Sequence, residues 1–105
     1  MADPVKHEVN HKVKQEGLRA PARKELDRVK EILKNSGLKP VGDSRDIREL
    51  LSLVGAYYSD GEHFYLKGQY LEAFEAAIIS WAYIDSALHL GRLAISEKYR
   101  EWFTF

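Results

Sequence analysis

His7, Glu8 and His11 stand in the order His-Glu-x-x-His. On a helix that spacing puts two imidazoles one turn apart with a carboxylate beside them, as a zinc hydrolase needs to hold its metal and supply a general base. The surroundings favour a plainer reading, a histidine pair that picks up metal adventitiously. The motif lies in the least core-like stretch of the chain, Lys12 follows the second histidine, and no third ligand is close in sequence. His7 and His11 are therefore the metal candidates, and no resident cofactor is expected.

Two further sets combine acids with histidine at helical spacing: Asp60, Glu62 and His63, and Asp85 with His89. Residues 68–69 alone separate the helices that carry them, so those helices run antiparallel and residues whose numbers sum to about 137 lie level. Asp60 then falls opposite residue 77, about 12 Å of helical rise from Asp85, too far for one metal to bridge. Asp85 interrupts an apolar run and so reads either as a carboxylate satisfied by Ser52 or Arg48 or as part of a pocket between helices. The pocket reading groups Tyr57, Tyr58, Asp60 and Asp85 as ligand-binding residues. Glycine-rich phosphate loops and cysteines are absent from the sequence, which excludes disulfides, thiolate metal sites and cysteine nucleophiles.

The elements that position these residues are helices. Pro21 suits a first helical turn, and Ala22, Leu26, Val29 and Leu33 follow at helical spacing before Gly37 and Pro40, which predicts a helix over about 21–35. A second helix starts after Asp43 or Ser44 and ends at Lys67–Gly68. Its apolar set Ile47, Leu50, Leu51, Val54, Tyr57, Tyr58, Phe64 and Tyr65 follows a bundle pattern. The third begins near Tyr70 and is apolar on nearly every face, the mark of a central or interface helix, and it is expected to run to about residue 101, with Gly91 ending or bending it. Along the antiparallel pair the level rule sets Gly55 opposite Ala82 and Gly61 opposite Ala76, two levels at which the backbones come close. Residues 1–17 form a charged, loosely ordered segment in which Val5, Val9 and Val13 give a thin stripe for an extra N-terminal helix, and 18–105 form one domain. The fold class is all-α: an antiparallel bundle of three main helices with the third long and central.

The formal charge is zero, but residues 1–39 carry ten Lys and Arg against six Asp and Glu, whereas residues 40–105 carry six against ten. The halves attract each other, within one chain or between two. A basic excess so diluted by acids argues against nucleic acid as a partner, with Arg23, Lys24, Arg28, Lys30 and Lys34 forming an ordinary solvated face. No apolar run reaches the ~20 residues that span a bilayer and the N-terminus has no secretory signal, so a cytoplasmic protein that does not engage membranes is expected. Trp102, Phe103 and Phe105 cluster at the C-terminus, either as a partner site or folded back on the first helix. With Trp81 and Tyr83 they make the candidate interface.

Residues 57–91 carry a resemblance: Tyr57-Tyr58-x-Asp60, Phe64, Tyr65, Lys67-Gly68, Tyr70, Glu72-Ala73-Phe74, Ala77, Trp81-Ala82, Asp85, Leu88 and Gly91. This pattern resembles a family of small archaeal helical proteins known as domain of unknown function 357. The resemblance implies a helical bundle and an archaeal source, and it implies no activity. The all-round apolar third helix, the aromatic tail and the charge split make the expected function a non-enzymatic helical interaction module that self-associates, its partner a second copy or another protein. The alternatives are a bundle that binds a small ligand or nucleotide and, more distantly, a metal-dependent hydrolase through His7 to His11.

Overall fold

The computed structural model describes residues 15–103. Three helices form its body, α1 (Arg19–Asn35), α2 (Arg45–Leu66) and α3 (Tyr70–His89), with residues 15–17 in a helical turn ahead of α1. The all-α bundle is as expected.

Spacing explains α1. Ala22, Leu26, Val29 and Ile32 recur every three or four residues, and all four are fully buried. Their neighbours across the interface give the topology. Ala22, Leu26 and Val29 pack with Ala73 and Ala77 near the start of α3. Ile32 packs with Ile84 and Leu88 near its end, so α1 runs parallel to α3 and antiparallel to α2. Two core clusters follow: one of small residues at the closed end of the α2–α3 hairpin, and one of larger residues (Ile32, Ile47, Val54, Ile84, Leu93, Tyr99 and Phe103 among them) at the open end.

The hairpin turn is built by Gly68. Its φ of 76° is a left-handed conformation that costs an L side chain but not glycine. The Gln69 amide donates to Phe64 at 2.9 Å and the Gly68 amide to Tyr65 at 3.0 Å, closing the helix end in a Schellman motif. At the start of α3 the cap comes from 56 residues away, where the Gln15 side-chain oxygen accepts the Leu71 amide at 2.8 Å.

Beyond residue 89 the structure departs from the sequence expectation. α3 ends at His89 rather than running to about 101, because Gly91 (φ 72°) closes a second Schellman motif, with Arg92 N–H to Ala87 O at 2.9 Å and Gly91 N–H to Leu88 O at 3.0 Å. The chain then makes a two-residue strand β2 (Leu93–Ala94), paired antiparallel with β1 (Lys39–Pro40) from the α1–α2 connection. A 3₁₀ helix over Glu97–Trp102 follows. The Ser96 amide donates to the Ser36 carbonyl at 2.7 Å, which ties this tail to the end of α1.

The level rule holds at one site and fails at the other. A Cβ on Gly61 would sit 3.3 Å from the Ala76 Cβ and 2.7 Å from Leu26 Cδ2, so three helices converge there. Gly55 and Ala82 do not meet: nothing lies within 4 Å of the corresponding position on Gly55, and Ala82 is exposed. At about 100° per residue the two glycines point about 120° apart around α2, so only one of them faces the bundle axis.

Candidate functional site

Among the described residues, two open surfaces stand out once the three helices have packed. The first is the outer face of the α2–α3 hairpin, on the side that α1 leaves uncovered. Tyr57, Asp60 and Phe64 from α2 and Glu72, Glu75, Ala76 and Ile79 from α3 line a shallow groove of about 300 Å³. The Tyr57 and Tyr83 rings lie 6.0 Å apart. Leu53, Leu71, Ile78 and Ile79 are exposed apolar residues on the same two helices, Leu53 by 48%. Three carboxylates, Asp60, Glu72 and Glu75, gather in the groove at the closed end of the hairpin.

The second surface lies between α1 and the 3₁₀ helix. Here Ala20, Arg23, Lys24, Asp27, Arg28 and Glu31 form one wall and Lys98, Tyr99 and Trp102 the other, around a groove of about 830 Å³. Its aromatic floor is braced from below. Trp81 stacks on Phe103 at 4.4 Å and lies 6.5 Å from Trp102, while the Arg28 guanidinium sits 4.3 Å from the Trp81 ring. Tyr99 meets Trp102 edge-on at 5.3 Å and donates its hydroxyl to Glu31 at 2.6 Å. That hydrogen bond holds the Glu31 carboxyl below its ordinary value, helped by Asn35, and pushes the Tyr99 hydroxyl up.

Between the two surfaces runs the tie that fixes α1 on α2. Arg23 holds both carboxylate oxygens of Glu62, one at 3.1 Å, while its guanidinium lies 4.6 Å over the Tyr65 ring and its Nε reaches Asp27 at 3.0 Å. The Arg23 hydrogen bond is the main reason the Glu62 carboxyl sits below its ordinary value. Tyr58 lies beside this pair, and burial first, then the Glu62 charge, push its hydroxyl up to about 12.

The predicted ligand set is therefore split. Tyr57 and Asp60 share the outer groove, Tyr58 turns toward α1 and packs on the Ala22–Leu26–Ala73 cluster, and Asp85 is half-buried farther along α3, outside the groove's lining. Arg48, one proposed partner of Asp85, pairs with Asp43, and Ser52 is exposed. The predicted interface set divides as well. Trp81, Trp102 and Phe103 stack within the chain, whereas Tyr83 lies with Tyr57 on the outer face. His7, Glu8, His11 and Phe105 lie outside the described residues, and among the described residues no three His, Asp or Glu side chains gather as a metal ion would require.

Sequence reasoning passed over the second groove. The basic residues of α1 read as a solvated face, and a helix continued to residue 101 would carry Lys98 and Trp102 away from them. The available signal was Gly91, which stops α3 and lets the tail fold back.

A model of the family described as "Protein of unknown function (DUF357)" matches residues 20–93, more than half of the chain. Among solved structures, that of protein AF1782 from Archaeoglobus fulgidus, assigned to the same family, is similar at 30% sequence identity and a TM-score of 0.65, covering 78% of this chain and 97% of that one. Among curated proteins none matches significantly.

Proposed function

We propose that this chain, which belongs to the DUF357 family, is a non-enzymatic helical interaction module that self-associates through the outer face of its α2–α3 hairpin. The observation that carries this reading is the exposed apolar surface of Leu53 and Ile79 beside the half-buried rings of Tyr57 and Tyr83 on two long antiparallel helices, one face of which is already covered by α1. A second hairpin laid on it completes a four-helix arrangement, the usual way for such a face to leave water. At 1.5 Å per residue a 22-residue helix spans about 33 Å, and two helices side by side are about 20 Å wide. That footprint is of the order of the ~800 Å² per partner found in standard interfaces.

Charge sets the orientation. A parallel pair would bring Asp60, Glu72 and Glu75 against their own copies, whereas a twofold axis running antiparallel separates the two acidic ends.

Native mass spectrometry and sedimentation of the full untagged chain test this reading. A dimer is expected for the wild type, and a monomer with unchanged helicity and melting for Ile79→Glu combined with Leu53→Glu. A wild-type monomer at high micromolar concentration, or a dimer that survives the double substitution, overturns it.

A further inference from the structure

We propose that the groove between α1 and the C-terminal 3₁₀ helix binds a nucleotide, a planar base carrying phosphate. Size comes first: the groove is open rather than enclosed, and its volume of about 830 Å³ leaves room for a mononucleotide laid along it. The floor comes second. Trp102 is half-buried, Tyr99 meets it edge-on, and Trp81 with Phe103 supports it, so its indole is held as a ready platform for a flat ring.

The rim supplies the rest. Four cations, Arg23, Lys24, Arg28 and Lys98, face two carboxylates, Asp27 and Glu31. Most of these charges are already engaged. Arg23 holds Glu62 and Asp27, Arg28 holds Glu25 and lies over Trp81, and Glu31 accepts from Tyr99 and Asn35. Lys24 on α1 and Lys98 on the opposite wall form no ion pair within 4 Å among the described residues, although Lys98 lies 5.4 Å over the Tyr99 ring and its charge reaches Glu31. Two ammonium groups across a groove from each other, next to an indole, fit a phosphate joined to a base. An acidic peptide would satisfy the lysines and leave the platform unused. A long nucleic-acid strand is disfavoured by Glu101, which lines the continuation of the groove past Lys24, Arg28 and Trp102 and would repel further phosphates.

The chain has two tryptophans, one in the floor and one beneath it, so intrinsic fluorescence reads occupancy directly. The experiment titrates the full chain with ATP, adenosine, inorganic phosphate and short oligoadenylates. ATP is expected to quench with submillimolar affinity, at least tenfold tighter than either fragment. The pair Lys24→Gln and Lys98→Gln should weaken it tenfold or more with helicity unchanged, and Trp102→Leu should weaken adenosine and ATP alike. Absence of quenching at millimolar ATP, or undiminished binding in the lysine variant, overturns the proposal. Affinity that rises with oligoadenylate length overturns it in favour of single-stranded RNA. None of these readouts depends on the oligomeric state of the chain.

Discussion

The two faces of the α2–α3 hairpin differ in how closely a neighbour approaches them. On the inner face Gly61, Ala73 and Ala77 are buried against Leu26 of α1, with the larger Tyr58, Tyr65 and Trp81 packed around that cluster. The outer face carries the exposed Leu53 and Ile79 and the half-buried Tyr57 and Tyr83, with Asp60, Glu72 and Glu75 toward its closed end, and no described element lies over it. A helix apolar all round thus still has a direction. Small residues at the contact let a neighbouring backbone approach closely, and branched or aromatic ones hold it at a distance.

The sharpest way to break this comparison is Leu26→Ala. Leu26 is fully buried on α1, and its Cδ2 lies closest to the space that Gly61 leaves. Deleting it leaves a cavity that three helices converging at one level cannot easily close. A loss of about 2–5 kcal/mol in urea denaturation is expected, with the dimer still forming among folded molecules. The matching change on the other face, Ile79→Ala, should cost the isolated fold less than about 1 kcal/mol and show its main effect in association. If the two costs came out equal, the division into a packed and a waiting face would be wrong.

Gly61→Ala tests the same face from its small side. The new Cβ would meet Leu26 Cδ2 at 2.7 Å, Ala76 Cβ at 3.3 Å and the Ala73 carbonyl oxygen at 3.4 Å. Leu26 can rotate away, but Ala76 and the Ala73 carbonyl move only with the backbone of α3. Overpacking of this kind costs about 1–3 kcal/mol and outweighs the ~1 kcal/mol that alanine gains over glycine in a helix. A net loss of about 1–2 kcal/mol is expected in the urea midpoint.

How much of this was legible in the sequence follows from which geometry a spacing encodes. A two-residue connection defines which levels of α2 and α3 lie opposite, so Gly61 against Ala76 could be read directly. Level says nothing about azimuth, and Gly55 against Ala82 failed for that reason. The aromatic tail failed differently. Whether Gly91 bends or stops α3 depends on whether Arg92 finds the Ala87 carbonyl and whether residues 93–94 find 39–40, pairings between segments that local periodicity does not contain. The groove beside α1 went unread with it, since half of its lining comes from that tail. Tyr57 and Tyr58 were grouped, with Asp60 and Asp85, as lining one pocket between helices, yet neighbours along a helix point about 100° apart, and Tyr58 accordingly serves the α1 interface.

Glu62→Gln probes the edge where α1 meets α2. Arg23 and Glu62 are each about a third exposed, at 32% and 30%, so solvent screens the pair and its loss should cost about 1 kcal/mol. The pH dependence has a definite sign. The Glu62, Glu31 and Asp46 carboxyls are all held below their ordinary values of 4.5, 4.5 and 3.8. Their contribution is full above those values and is lost as pH falls through the lower native ones. Acid should therefore destabilise the fold, and Glu62→Gln should flatten that slope. Tyr58 acts at the other end: its hydroxyl is raised from 10.0 to about 12, so the stability it lends is present below pH 10 and is lost as pH climbs toward 12.

The smallest expected effect is the most discriminating about geometry. Gly55 occupies the interior of α2, its φ is not positive, and nothing lies within 4 Å of where its Cβ would stand. Gly55→Ala should then stabilise the fold by about 0.5–1 kcal/mol through helix propensity alone, seen as a higher urea midpoint at constant m-value. It should do so at every protein concentration, because Gly55 points about 160° away from Tyr57 around α2 and so away from the face assigned to the second copy. A destabilisation that grows as the protein is concentrated would mean that the partner sits over Gly55 instead. The self-associating face would then move to the flank of α2 beside α1, and Leu53 and Ile79 would be left on an ordinary exposed surface. One methyl group, placed where the three-helix body has room for it, thus decides which side of α2 a second chain covers.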